Sequence, residues 1–184
     1  MKKRSRKSPP TVICACDPHT TTPAFALFSG QKLAHWELLQ GEIEELLPKI
    51  RTIIERWQPH LLVIENQYLP MSVDAVRRFR SLSSLISARA MITAVFILSG
   101  VNCELVEPFA WRQTLGGSTL GRDRLKALSV LKATGIAGER IDDHNIADAI
   151  NLGFWWIRTH PDRAGSPHPF RIGKTGGIGR IRRA

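Results

Sequence analysis

No apolar run in this chain is long enough to cross a membrane. The best candidate, 91–101, is too short and is bracketed by Arg89 and Gly100. Cysteine is scarce: there are three, and Cys14 and Cys16 fall in a buried-strand pattern. That points to reduced structural thiols in a cytosolic protein rather than a disulfide scaffold. Cys14 and Cys16 also lack the second Cys/His pair that a zinc site needs. The basic start at 1–7 runs into Ser8-Pro9-Pro10 instead of an apolar stretch, so it does not read as a secretory signal. There is no internal repeat.

Acid is missing from both ends. Residues 1–10 carry five Lys/Arg and residues 163–184 carry six, neither with an Asp or Glu, while the body between holds 15 basic against 16 acidic residues. The net charge of +10 therefore lives in the tails. The sequence divides into a basic disordered arm (1–10), one domain (11–160) and a basic Pro/Gly-rich tail (161–184). Such arms fit a polyanion, and nucleic acid is the expected partner. A solubilising tail or a cloning remnant has the same composition.

What is present in the body is an alternation of strands and helices. Thr11 to Cys16 is a short apolar run that reads as a buried central strand ending on Asp17, where Pro18 stops the ladder. Residues 24–29 and 32–37 read as two further strands joined by a hairpin at Gly30-Gln31. Apolar positions 43, 46, 47, 50, 53, 54 and 57 give a helix, with a kink or a late start expected at Pro48. Leu61 to Ile64 is another apolar strand, and it ends on Glu65. A long helix over 74–99 has a small-residue face, a basic first half (Arg77, Arg78, Arg80) and an apolar second half, so it packs in the core or on a partner helix. Residues 102–108 alternate as a fifth strand, and 121–133 and 141–158 complete the set as helices. The expected fold class is α/β, a mixed sheet flanked by helices.

Three segments place acids where a sheet would gather them. Asp17 and Glu65 each end an apolar strand, and a carboxylate there is costly unless something positive meets it. On the last helix His144 and Asp148 are four apart and share a face, with Asp143 slightly off it. Any one of these alone reads as a cap or a solvated side chain. Together they make sense around divalent cations, and oxygen-rich sites with one His suit Mg²⁺ or Mn²⁺. Two such ions can stabilise the attacking and leaving oxygens in phosphodiester hydrolysis.

The order strand-Asp, strand-Glu, helix-His/Asp resembles the RNase H-like nucleases, specifically the RuvC-type Holliday-junction resolvases. Asp17-Pro18 resembles their first motif, although the family usually has Gly where this chain has His19. Ile64-Glu65-Asn66-Gln67-Tyr68 resembles the second, and Glu107 to Gly117 with Arg122, Arg124 and Lys126 resembles the basic segment before the last helix. Asn145 to Ile150 resembles the terminal acidic motif, with Asn145 where a second acid or His is usual; His144, then Asp143, is the substitute. The resemblance implies an RNase H-like five-stranded sheet. It also implies a crossover-junction endonuclease of DNA recombination and repair, with catalytic and metal residues Asp17, Glu65, His144 and Asp148 holding two Mg²⁺ or Mn²⁺. It further implies a homodimer through the long helix that nicks a four-way DNA junction in pairs, with neither membrane nor small-molecule cofactor.

Arg77, Arg78, Arg80, Arg112, Arg122, Arg124 and Lys126 would hold DNA phosphates, and Tyr68 would stack on a base or serve as an ordinary core tyrosine. The expected location is the cytoplasm of a bacterial or phage-infected cell; the basic start also fits an organellar or nuclear address. Two other classes compete. A non-catalytic nucleic-acid-binding module of the same fold would not need the three acids. A sugar-kinase-like ATPase needs Gly-rich phosphate loops, and Gly116-Gly117 and Gly176-Gly177 do not lie between a strand and a helix.

Overall fold

The computed structural model describes residues 11–66, 73–116 and 120–164, and for 73–81 the backbone alone. Tyr68, the basic arm 1–10 and residues 165–184 of the basic tail thus lie outside the described residues, as do the side chains of Arg77, Arg78 and Arg80. The chain runs β1 (Val12–Asp17), β2 (Ala24–Ser29), β3 (Lys32–Leu38), α1 (Ile43–Trp57), β4 (Leu61–Glu65), α2 (Val73–Leu98) and β5 (Asn102–Val106). It continues with α3 (Pro108–Arg112), α4 (Arg122–Ala137), α5 (His144–Thr159) and α6 (Pro161–Ala164). The strands form one sheet in the order β3-β2-β1-β4-β5. The β1–β2–β3 meander is antiparallel, whereas β4 joins β1 and β5 joins β4 in parallel, each through a helical crossover.

Why the elements form is plain from the residues. Gly30, with φ at +59°, makes the tight β2–β3 turn that a side chain would strain. α1 begins at Ile43, ahead of Pro48, so the late start expected at Pro48 does not occur. The carbonyl that this ring displaces is that of Glu44, in the first turn, where the loss is least disruptive. Val101 closes α2 by donating its amide to the Phe96 carbonyl (3.0 Å). Among the described residues no helix is long and apolar enough to span a membrane.

Strand alternation sorts the interior into two cores. Cys14, Cys16, Phe25, Leu27, Leu62 and Ile64 face α1 and α2 and meet Leu46, Ile50, Ile92 and Phe96. Ile13, Ala15, Phe28, Leu61, Val63 and Val106 face the other way, against Trp111, Ala133, Ile150 and Trp156. α5 lies close on this second face because it has Gly153 there: a Cβ at that position would collide with the Phe28 ring and come within 2.9 Å of Ala15. Arg163 of α6 donates to Glu104 of β5 (2.8 Å) and Ala164 is buried, so α6 packs against the sheet domain.

Candidate active site

Parity brings the first two acids together. Cys16 pairs with Ile64 in the parallel β1–β4 ladder, so the next step sets Asp17 beside Glu65, on the face that carries Ala15 and Val63. This is the carboxyl end of the parallel strands, where α/β sheets place ligand sites. Behind Asp17 the chain turns on His19, whose Nδ1 accepts from the amides of Thr21 and Thr22 (3.3 and 3.2 Å). The imidazole thereby closes this turn with a side chain, at the position where the resembled family usually has Gly. Asn145 ties the same turn to α5 by donating to the Thr22 carbonyl (3.4 Å).

α5 brings in the third acid. Asp143 caps it, accepting from the amides of Asn145 (2.8 Å) and Ile146 (3.0 Å), which is the usual work of Asp at a helix start. The sequence reading put Asp143 on the helix as the second choice of ligand; it stands at the cap with one oxygen engaged. Asp148, one turn into α5, faces the sheet acids. Its Oδ1 accepts from the hydroxyl of Ser129 on α4, and Asn151 in turn donates to Ser129 Oγ and to the Ser129 carbonyl (both 2.9 Å). Ser129 and Asn151 are each 1% exposed. Neither was singled out in the sequence. The available signal was the position of Asn151, three beyond Asp148 on an otherwise apolar helix face.

Glu65 is the deepest of the acids, with its side chain 4% exposed. A buried carboxylate must be paired, and two of its partners come from α3. The Trp111 indole donates to Oε2 (2.8 Å), and Arg112 Nη2 lies 3.1 Å from both Oε1 and Oε2. Arg112 also reaches to 4.0 Å from Asp148 Oδ2 and lies over the Trp111 ring at 5.2 Å. α3 itself is fixed from β4: Asn66 donates to Glu107 (2.6 Å) and accepts from Arg89 of α2 (2.6 Å).

The electrostatics follow from this crowding. Burial, and after it the neighbouring charges of Glu65 and Asp148, push the Asp17 carboxyl well above the usual carboxylate range, with Arg112 opposing them and Asp143 adding to the rise. Burial also raises Asp148, against the Ser129 hydrogen bond and the charges of Arg112, His144 and Lys126. His144 Nε2 stands 3.4 Å from Lys126 Nζ, so these two groups form a basic flank beside Asp148. Arg122 and Arg124 are exposed on the first turn of α4. Of the predicted residues, the structure therefore gathers Asp17, Glu65, Asp148, His144, Arg112 and Lys126.

The donor set is carboxylate oxygen with an imidazole at its edge, which fits a hard divalent cation. Among the described residues no three His, Cys, Asp or Glu side chains stand close enough to hold an ion as they are placed. The guanidinium of Arg112 stands among them instead.

No family model and no curated protein matches the sequence. Solved structures do. The Thermus thermophilus RuvC protein superposes with a TM-score of 0.60 over 86% of this chain and 100% of its own length, at 15% identity. The same protein in complex with a Holliday junction substrate gives 0.59, over 86% of this chain and 99% of that one, also at 15% identity. The fowlpox virus Holliday junction resolvase gives 0.51 over 81% of this chain and 99% of its own, at 20% identity. The five-stranded mixed sheet with its flanking helices is thus the RNase H-like fold in the form found in RuvC-type resolvases.

Proposed function

We propose that this protein is a metal-dependent endonuclease that resolves four-way DNA junctions as a homodimer, making paired nicks. The observation that carries the reading is the convergence of Asp17, Glu65 and Asp148 at the carboxyl end of the parallel strands. Burial and the charges of Glu65 and Asp148 raise the Asp17 carboxyl, a cost that a bound cation would offset. Two divalent ions, Mg²⁺ or Mn²⁺, would supply Lewis acidity there for phosphodiester hydrolysis. Asp17, Glu65 and Asp148 would hold them, with His144 as the fourth ligand.

Each remaining residue has a task set by its place. Ser129 and Asn151 fix the Asp148 carboxylate so that Oδ2 points to the site. Lys126 presents positive charge to a phosphate on the α5 side, and Arg112 does so on the α3 side. Arg122 and Arg124, exposed on α4, extend the same field along a DNA backbone. The resolvase structures support junction DNA as the substrate, and exposed Ile97 and Leu98 at the end of α2 support a helix-mediated dimer.

A binding module remains as a second reading, because the ion pair of Arg112 with Glu65 would also stabilise an acid cluster that never cuts. The test is incubation with an immobile four-way junction, linear duplex and single strand, in Mg²⁺, Mn²⁺ or EDTA. Paired symmetric nicks near the crossover, lost in EDTA, are the expected result. Metal-dependent cutting of other substrates would move the function while keeping the site. Tight junction binding without cutting in any metal would leave the binding module.

A further inference from the structure

Arg112 occupies an unusual position for a residue that should grip DNA. Its Nη2 is spent on both oxygens of Glu65 at 3.1 Å and approaches Asp148 at 4.0 Å. These are two of the three carboxylates that an ion must use. A guanidinium and a divalent cation want the same lone pairs, so they compete for them. The pairing is nonetheless built to open. The Arg112 side chain is 40% exposed, against 4% for Glu65, so the arginine can leave toward solvent while the glutamate cannot. Trp111 keeps its own hydrogen bond to Glu65 Oε2 when Arg112 departs, and its ring offers the guanidinium a surface to slide over. A phosphodiester offers the same planar fork a two-oxygen partner of equal charge type.

Resting on the nuclease reading above, we propose that Arg112 is an exchangeable counterion which couples ion loading to DNA binding. In the free protein it holds Glu65 and Asp148 and weakens their uptake of an ion. On DNA a backbone phosphate takes the guanidinium, and the two carboxylates become available. Linkage makes the effect reciprocal: an ion in the site frees Arg112 and tightens DNA binding. The role differs from a structural ion pair, whose removal would loosen the site and weaken the binding of any ion.

The experiment titrates Mn²⁺ by electron paramagnetic resonance into the full-length wild type, Arg112→Gln and Arg112→Lys, all free of DNA. Junction affinity is measured in parallel in EDTA and in Ca²⁺. Arg112→Gln is expected to bind Mn²⁺ about tenfold more tightly than wild type, with Arg112→Lys between them. Wild type is expected to bind the junction more tightly in Ca²⁺ than in EDTA, and Arg112→Gln to lose most of that difference. Equal or weaker Mn²⁺ binding by Arg112→Gln would overturn the exchange and leave a structural ion pair, with the nuclease reading intact. If Arg112→Gln does not fold, Mn²⁺ affinity of Arg112→Lys no tighter than wild type overturns it equally. Failure of every protein to bind Mn²⁺, with junction present or absent, would remove the metal reading and the exchange with it.

Discussion

The two faces of the central sheet hold different interiors. Toward α1 and α2 the side chains of Cys14, Cys16, Phe25, Leu27, Leu62 and Ile64 pack against Leu46, Ile50, Ile92 and Phe96, and the contact is apolar throughout. Toward α4 and α5 the packing begins in the same way, with Ile13, Ala15, Leu61 and Val63, and then changes at the strand ends. There the next residues of the same parity are Asp17 and Glu65, and the helices opposite supply Ser129, Asp148 and Asn151. Both faces bury an apolar core, and the electrostatic cost of the site falls on the second. One strand thus serves both, through alternation alone.

The comparison breaks first on the apolar face. Phe96 is fully buried, with its ring stacked at 6.4 Å on Phe25. Phe96→Ala should cost about 3–5 kcal/mol in denaturant unfolding while leaving ion affinity of the folded protein unchanged. A shifted ion affinity would show that the two faces are coupled. On the other face, Asp17→Asn should lower junction cleavage by about 10²–10³-fold or more with junction affinity kept. Cleavage retained in Mg²⁺ would remove Asp17 from the ligand set.

Ser129→Ala sharpens the comparison further, because it deletes one buried hydroxyl from the polar face without touching an acid. The Asp148 carboxylate loses the donor that anchors it. The Mn²⁺ concentration for half-maximal cleavage should rise about tenfold, with the rate at saturating ion nearly restored. A fall in the saturating rate alone would place the hydroxyl in the chemistry and not in positioning.

Much of this was legible in the residues. Apolar runs ending on Asp17 and Glu65 gave two strands and their acids, and the spacing of His144 and Asp148 put both at the right end of a helix. Period and parity are local properties, and a single sequence displays them. The partner of Glu65 was not legible: Trp111 and Arg112 lie 46 and 47 residues away on a helix of five residues, too short to show any period. From the sequence Arg112 reads as a phosphate contact, and nothing local shows that the fold sets it against Glu65. Asp143 went the other way. Asp ahead of an apolar helical stretch is a cap signal, and Asp143 caps α5. The Ser129–Asn151 relay depends on how α4 packs on α5, which no spacing within either helix reveals.

The subtlest test of the two faces is thermodynamic. Burial and the charges of Glu65 and Asp148 raise the Asp17 carboxyl above its unfolded value, so the folded protein binds a proton there more tightly than the unfolded chain does. That favours folding below the ordinary carboxylate pKa of about 4. The stability it gives is lost as pH climbs from there toward the raised folded value, and Asp148 shifts in the same sense. Replacing Asp17 by Asn removes the charge that neutral pH imposes on the folded state. In EDTA at pH 7 the Asp17→Asn protein should therefore melt higher than wild type, by on the order of 5 °C, and the gap should close as the pH is taken down to about 4. Saturating Mg²⁺ should narrow or reverse the gap at pH 7, because an ion that binds only the folded wild type stabilises it by mass action. A gap that ignores both pH and Mg²⁺ would mean that the amide packs better than the acid, and that the strain assigned to this face is not electrostatic.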